Sequence, residues 1–280
     1  MNVLPIEKRS LILQALVEGN SMRSIVRLTG ASKNTVKKLL LEAGTRAAEI
    51  HDREMINLTV GRVQVDEIWA YVGKKQKRLT DSEKRAAELG DQYTFVAMDA
   101  RTKVVPVYRT GKRNKEVTLS FLGELRTRTN NTFQLSSDSF SAYQECVDRV
   151  FGNDVHYGQI HKEYEEDNRG EKRYSPAKIK RVTIIPITGQ PDVKHISTSY
   201  IERQNLTMRM QMRRFTRLTN AFSKKLVYLE AAVALHFFHY NFMRVHQTLR
   251  VTPAMEAGIT KHVWGWNEFL GAISRDRKVA

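Results

Sequence analysis

Three acidic residues have the side-chain type and the sequence setting of ligands for a divalent metal ion. Asp66 lies in an apolar, strand-like stretch, where a charge is unfavourable unless it binds a metal or a cation. Asp138 follows a second strand-like stretch, and Glu202 lies near the start of a predicted helix. Residues 203–225 then contain seven Lys or Arg and no Asp or Glu. A carboxylate at the head of so cationic a segment indicates an acid that binds metal beside phosphates.

The chemistry that such acids support is the cleavage and joining of phosphodiesters. This reaction needs a nucleophilic oxygen, in-line geometry and neutralisation of charge at phosphorus, and two divalent ions held by carboxylates supply all three. Mg²⁺ prefers oxygen ligands and keeps several waters, so two or three acids suffice. We therefore predict that Asp66, Asp138 and Glu202 are the catalytic residues and hold two Mg²⁺ ions, for which Mn²⁺ substitutes.

Each of these acids has a structural alternative or a competitor. Glu67 is predicted to point to the opposite face of its strand from its neighbour, because strand side chains alternate. Asp138 could cap the helix that follows it. Ser199 and Glu202 have the spacing of a capping box, in which the glutamate turns back to the serine amide. Asp99 competes as a third carboxylate, but its place in a hairpin turn favours a structural role.

Composition indicates a soluble protein with a polyanionic partner. The chain has 280 residues with 46 Lys or Arg against 30 Asp or Glu, a net charge of +16. This excess favours a polyanionic partner, with nucleic acid first, and the alternative is a solvated basic surface. The predicted partner is double-stranded DNA. The single cysteine, Cys146, excludes an internal disulfide and a Cys-based zinc finger.

No membrane segment is predicted. The apolar stretch 226–242 contains Glu230, His236 and His239 and is predicted to be a core helix. The chain begins without a charged-then-apolar signal, so we expect a cytoplasmic, nucleoid-associated protein.

The N-terminal part has the pattern of three short helices. Apolar residues recur at helical spacing in 6–18, 22–28 and 33–43. Ser21 and Ser32 precede the second and third of these segments and are predicted to cap them.

A turn that contains Gly30 joins the second and third helices, which is typical of a helix-turn-helix. We predict a small all-α DNA-binding domain at residues 1–50, with an ordinary three-helix packing module as the alternative. The third helix presents polar residues suited to phosphates and base edges. These are Lys33, Asn34, Thr35, Lys37 and Lys38.

Beyond a linker at 51–60, the order of elements predicts an α/β catalytic domain at 61–260. Strands are predicted at 62–73, 93–98, 103–109, 132–137 and 155–159, and helices at 115–126 and 140–150. This order fits a ribonuclease-H-like mixed sheet with flanking helices. Residues 160–195 are predicted to be a charged insertion, and 261–280 a C-terminal tail.

The cations after Glu202 predict a DNA-binding track. Arg209 lies seven residues after Glu202, on the same helical face. Arg213 and Arg217 extend that face if the helix continues. The predicted DNA contacts of this region are Arg203, Arg209, Arg213, Arg214, Arg217, Lys224 and Lys225.

Several motifs resemble those of the insertion-sequence-one family of bacterial transposases, within the Asp-Asp-Glu superfamily of transposases and retroviral integrases. Segment 65–75, VDEIWAYVGKK, resembles the strand of the first acid, and segment 199–209, SYIERQNLTMR, the helix of the third. FTR at 215–217 and SKK at 223–225 resemble the basic continuation. YNF at 240–242, HQTL at 246–249 and TP at 252–253 resemble a tail common in that superfamily.

The resemblance implies a ribonuclease-H-like DNA transposase with Asp66, Asp138 and Glu202 as metal ligands. It implies 3′-end cleavage and strand transfer without a covalent protein–DNA intermediate, recognition of terminal inverted repeats by the helix-turn-helix, and at least a homodimer. Family members often carry an N-terminal Cys-based zinc ribbon, which this chain cannot form. Two alternatives stay open: a catalytically silent, transposase-derived DNA-binding repressor, and a nuclease acting on RNA–DNA hybrids.

Overall fold

The computed structural model describes residues 4–164, 179–216 and 219–276. Its centre is a mixed six-stranded sheet with the order β3-β2-β1-β4-β5-β6. The strands are β1 (Arg62–Val72), β2 (Gly90–Asp99), β3 (Val107–Gly111), β4 (Phe133–Asp138), β5 (Val155–Tyr164) and β6 (Ile179–Thr188).

The strand directions are compatible with the ribonuclease-H-like arrangement predicted from the sequence. The first three strands form an antiparallel meander, in which β1 pairs with β2 and β2 with β3. β4 runs parallel to β1, and β5 parallel to β4. Parallel neighbours need a crossover connection, and the connections from β1 to β4 and from β4 to β5 contain helices that pack in the same core.

The helices of four residues or more are numbered in chain order. They are α1 (Ile6–Val17), α2 (Met22–Thr29), α3 (Lys33–Glu54), α4 (Asp81–Lys84), α5 (Lys115–Arg128), α6 (Ser141–Phe151), α7 (Ser199–Gln211), α8 (Leu226–Phe238), α9 (Pro253–Glu256) and α10 (Trp266–Asp276). None of the described helices is long and apolar enough to cross a membrane.

The side chains of β1 point alternately to the two faces of the sheet and contribute to two hydrophobic cores. Val63 and Val65 belong to a large core with residues of α5 and α6. Ile68 and Ala70 belong to a smaller core with residues of α7 and α8. Because side chains alternate along a strand, Asp66 points to the same face of the sheet as Ile68, which is the face that α7 covers. Glu67 points to the opposite face.

The N-terminal helices share the large core with the C-terminal helices. The third helix does not end near residue 43 but continues to Glu54, through the first residues of the predicted linker. It packs so closely on α8 that a Cβ on Gly44 would lie 2.5 Å from atoms of Ala231. At the other end of the chain, the Trp266 indole donates to Gln14 of α1.

Part of the predicted insertion at 160–195 belongs to the sheet. β5 continues to Tyr164, and β6 returns antiparallel beside it, with Ile160 opposite Ile184. Residues 165–178 lie outside the described residues. The segment is therefore a strand pair at the sheet edge, at least in its described part.

Candidate active site

Asp66 and Asp138 occupy matching positions on neighbouring parallel strands. β1 and β4 pair with Gln64 opposite Ser136. The paired part of the two strands ends there, and Asp66 and Asp138 each follow two residues later, Asp138 as the last residue of β4. The charge of Asp138 contributes to the raised pKa of Asp66. The fold thus brings together two carboxylates that are 72 positions apart in sequence.

Asp66 is held by short hydrogen bonds in a partly buried position. Its Oδ1 accepts the Glu67 amide (2.9 Å), and its Oδ2 accepts the side-chain amide of Asn205 on α7 (2.8 Å). Burial, followed by the negative charges of Glu67, Asp138 and Glu202, raises the pKa of Asp66 to about 7. The three predicted acids therefore interact electrostatically around Asp66, and their mutual repulsion favours binding of a cation.

Glu67 points to the opposite face of β1, as its parity predicted, and shares its partner Arg113 with Asp138. The Glu67 side chain is only 3% exposed. It pairs with Arg113 and accepts the Tyr143 hydroxyl (3.0 Å). Burial and the charge of Asp138 raise the pKa of Glu67, whereas Arg113 lowers it.

Asp138 has a local role as well as its place beside Asp66. One oxygen accepts the amide of Phe140 at 3.0 Å, in the turn before α6. The other oxygen lies 3.9 Å from the Arg113 guanidinium. Asp138 does not cap α6, because the N-cap of this helix is Phe140 and no side chain of the described residues accepts a backbone amide of its first turn.

Glu202 is not part of a capping box. The helix begins at Ser199 with Thr198 at its N-cap, and the Glu202 carboxylate accepts the Thr198 hydroxyl (2.6 Å). It also pairs with Lys162 of β5. Because the carboxylate is 46% exposed, it remains accessible from solvent.

Asp99, the competing carboxylate, is structural. It is fully buried. Its Oδ1 accepts the amides of Gly61 (3.2 Å) and Arg62 (3.3 Å), and its Oδ2 accepts the amide (2.8 Å) and hydroxyl (2.7 Å) of Thr102.

A side chain of β1 fastens the helix that carries Glu202. The side-chain oxygen of Gln64 (Oε1) accepts the backbone amides of Tyr200 (2.9 Å) and Ile201 (3.1 Å). These amides lie in the first turn of α7, where N–H groups have no partner within the helix. Gln64 is two residues from Asp66 on the same face, so it ties Glu202 to the strand of Asp66.

The donor set suits a hard divalent cation, although the carboxylates are not arranged around a common point. Within the described residues, no three His, Cys, Asp or Glu side chains are placed to hold one metal ion. Asp138 and Glu202 contact Arg113 and Lys162 instead. Next to Asp66, however, the buried Oδ1 of Asn205 has no hydrogen-bond partner among the residues that the structure describes. An orphaned oxygen beside interacting carboxylates fits an ion with oxygen ligands.

The predicted DNA contacts of α3 lie at its N-terminal end. Lys33, Asn34 and Lys38 are exposed, while Thr35 and Lys37 are partly exposed. The Lys37 ammonium lies 6.0 Å from the centre of the Tyr228 ring on α8. These five residues therefore lie together at the N-terminal end of α3, while the apolar face of this helix is buried in the core.

The second predicted basic track does not continue as a helix. α7 ends at Gln211, so Arg213 lies in a short 3₁₀ turn with Arg214. Arg217 is outside the described residues. Arg203 is exposed and Arg209 is partly buried on α7, and Lys224 and Lys225 are exposed before α8.

Sequence reasoning missed Gln64, Arg113, Lys162 and Asn205. A local signal existed for Asn205, since it lies three residues after Glu202 and therefore on nearly the same helical face. The other three reach the site through strand pairing and loop placement. No short-range pattern marks them.

Comparisons with known proteins show distant structural similarity. No protein-family model matches the chain. No curated protein matches it either. Among solved structures, the chain is similar to the crystal structure of a pre-cleavage Mos1 transpososome, with 10% identity and a TM-score of 0.25 over 85% of this chain and 79% of that chain. Values this low carry no argument about function, which depends on the residues of this chain.

Proposed function

We propose that this protein is a DNA transposase of the Asp-Asp-Glu type, which cleaves 3′ ends and transfers strands with Mg²⁺. The observation that carries the proposal is that Asp66 and Asp138 lie on adjacent parallel strands, each two residues beyond the last paired residues Gln64 and Ser136, with the helix of Glu202 fastened to β1 by Gln64. A protein that only binds DNA has no need of three carboxylates near one another.

In this proposal Asp66, Asp138 and Glu202 hold two Mg²⁺ ions. Bound ions would supply a nucleophilic oxygen and neutralise charge at the phosphorus. Asn205 orients Asp66 through its amide, and Gln64 fixes the start of α7 against β1. The chain thus contributes pre-positioned oxygens on rigid elements, which is what phosphoryl transfer requires of a protein.

We further propose that residues 1–50 form a helix-turn-helix that recognises terminal inverted repeats. Lys33, Asn34 and Lys38 are exposed at the start of α3, where recognition helices contact base edges. Pairing two element ends requires at least a dimer. In this proposal the second set of cations contacts phosphates of the element or target DNA. These residues are Arg203, Arg209, Arg213, Arg214, Arg217, Lys224 and Lys225.

One observation favours the catalytically silent repressor as a second candidate. Asp138 and Glu202 already contact the cations of Arg113 and Lys162, and no three acidic or metal-binding side chains surround one point in the described residues. A protein that kept this arrangement on DNA would bind without cleaving.

The deciding experiment incubates the protein with the DNA that flanks its own gene, with Mg²⁺ or Mn²⁺. We expect end-specific nicks and joined products from the wild type and none from Asp66→Asn, Asp138→Asn or Glu202→Gln. Asp81→Asn, which changes an exposed carboxylate on α4, is the matched control and should retain activity. Binding by the wild type without any metal-dependent break would overturn the proposal and favour the repressor. Cleavage of RNA–DNA hybrid in preference to duplex would favour a nuclease.

A further inference from the structure

A cavity of about 770 Å³ lies between the N-terminal helices and the segment after α7. Its wall includes the end of α1, the start of α2 and the first turns of α3. Described residues between Met212 and Lys224, together with part of α8, complete it. The volume is within the usual range for pockets that enclose small organic ligands.

The wall of this cavity is strongly cationic. In the part of the chain that the structure describes, it contains no Asp or Glu. None of its cations forms an ion pair within the described residues. The cations are Arg23, Lys33, Lys37, Arg213, Arg214 and Lys224. We call this site the basic cavity.

Arg214 is the most informative of these cations. Its Nε donates to Ser223 Oγ at 2.8 Å, and its side chain is partly buried. Burial lowers the pKa of Arg214 to about 10, and no carboxylate of the described residues compensates for it. A desolvated guanidinium without an acidic partner is unfavourable unless an anion binds to it.

Another part of the wall is apolar and aromatic. Tyr228 lies below Lys37, and Phe222 stacks on Tyr71 with ring centres 4.7 Å apart. Such rings provide a surface for a planar group. A ligand with only a phosphate would leave this half of the wall without contacts.

A buried histidine in the wall has an unused hydrogen-bonding group. His236 is 1% exposed, and its Nε2 faces the Gln204 amide nitrogen at 3.4 Å. Since that nitrogen is a donor, Nε2 accepts and Nδ1 carries the hydrogen. Nδ1 has no partner within the described residues.

We infer that the basic cavity binds a nucleotide, with the phosphate on Arg214 and its neighbouring cations and the base against Tyr228 and Phe222. The ligand is either a free nucleotide or one nucleotide of a DNA strand, since both present the same phosphate and planar base. An acidic peptide matches the charge of the cavity but not its aromatic half.

This inference deepens the proposed function, because several of these cations belong to the proposed DNA contacts. It nevertheless concerns a cavity that the three carboxylates do not line. Nucleotide binding and strand cleavage can therefore fail independently. In the Asp66→Asn variant, binding is measured without any cleavage of the probe.

The test measures binding of adenosine 5′-monophosphate to the full chain by calorimetry, in the Asp66→Asn background. We expect saturable one-to-one binding that Arg214→Gln weakens about tenfold, the usual effect of losing a charge-assisted hydrogen bond. Lys77→Gln removes the same charge from an exposed site outside the cavity and should have no effect. Ala232→Met, which keeps every charge but fills part of the wall, should also weaken binding. Thermal melting checks that each variant is folded.

Competitors identify the source of the nucleotide. Displacement of the monophosphate by an oligonucleotide duplex would assign the site to a DNA strand, whereas persistence beside the duplex would assign it to a free nucleotide. Absence of saturable binding would overturn the inference. So would equal weakening by Lys77→Gln, binding of inorganic phosphate as tight as that of the nucleotide, or equal displacement by polyglutamate.

Discussion

The side-chain oxygen of Gln64 accepts the backbone amide of Tyr200 at 2.9 Å and so joins the strand of the first acid to the helix of the third. The same oxygen accepts the amide of Ile201. Two amides at a helix N-terminus would otherwise need another acceptor. Gln64 therefore sets the position of Glu202 relative to Asp66 without itself being a metal ligand.

We expect Gln64→Leu to slow metal-dependent nicking strongly while the protein stays folded. The substitution keeps the volume but leaves two amides unsatisfied, which costs about 1–3 kcal/mol of unfolding free energy. Because α7 loses its attachment, the loss of rate should exceed what the loss of stability explains. Nicking rates and urea unfolding of the same preparations measure both.

Gln92→Leu is the matched control for this prediction. Gln92 is also a buried strand glutamine, but its amide donates to Ala87, away from the acids. It should retain the nicking rate, and it should lose less stability than Gln64→Leu, because within the described residues its Oε1 has no hydrogen-bond partner to lose. Equal rates for the two variants would mean that Gln64 is only structural.

Lys162 pairs with Glu202, and this contact should compete with metal binding. We expect Lys162→Gln to lower the Mn²⁺ concentration needed for half of the metal-induced rise in melting temperature. A partly exposed ion pair is worth up to about 1 kcal/mol, which corresponds to an effect of about two- to fivefold. Lys180→Gln, on the exposed edge strand β6, should leave the Mn²⁺ dependence unchanged. Weaker Mn²⁺ binding in Lys162→Gln would show that this lysine supports the site instead.

We predict that Gly44→Ala destabilises the folded protein. In an exposed helix interior, replacing glycine by alanine stabilises by about 1 kcal/mol. At Gly44 the added Cβ would lie 2.5 Å from the Cα, Cβ and carbonyl oxygen of Ala231. Separating α3 from α8 should lower the unfolding free energy by about 1–3 kcal/mol.

The control for Gly44 lies on another helix. A Cβ at Gly123 of α5 would meet no atom within 4 Å. Gly123→Ala should therefore raise the unfolding free energy. Chemical denaturation of both variants measures whether each substitution raises or lowers it. A stabilised Gly44→Ala would mean that α3 and α8 pack less closely than described.

Local elements were predictable from the sequence because local chemistry determines them. Ser21 and Ser32 cap α2 and α3, as predicted, through hydrogen bonds that span three residues. Gly30 adopts the left-handed conformation that its turn requires, with φ 63°. Asn114 likewise caps α5. Such bonds depend on sequence neighbours alone.

The features that the sequence did not predict depend on distant packing. Gly44 follows the predicted end of the third helix, yet the helix continues because α8 approaches this glycine. Gln64 contacts residues 136 and 137 positions away, which no periodic pattern reveals. The acids of the site could be proposed from sequence, but the side chains that position them could not.

The buried His51 should make stability depend on pH. Its Nδ1 accepts a hydrogen bond from Arg128 (3.1 Å), and its Nε2 donates to the carbonyl of Val105 (3.0 Å). Burial, followed by the charge of Arg128, lowers the pKa of His51 from 6.5 to about 4. The unfolded chain therefore binds the proton first as the pH falls. His51 contributes its full stability above pH 6.5 and loses it between about pH 6.5 and 4.

We expect the difference in unfolding free energy between wild type and His51→Gln to shrink by up to about 3 kcal/mol over that window. At pH 7.5 the variant lacks the hydrogen bonds of His51 and is less stable, whereas near pH 4 the wild type has lost the same contribution by protonation. Asp66 and Glu67, whose raised pKa values act in the opposite direction, titrate in both proteins and cancel in the difference. Urea unfolding of both proteins at several pH values measures this difference in unfolding free energy. Parallel curves for the two proteins would show that His51 is not held neutral in the folded state.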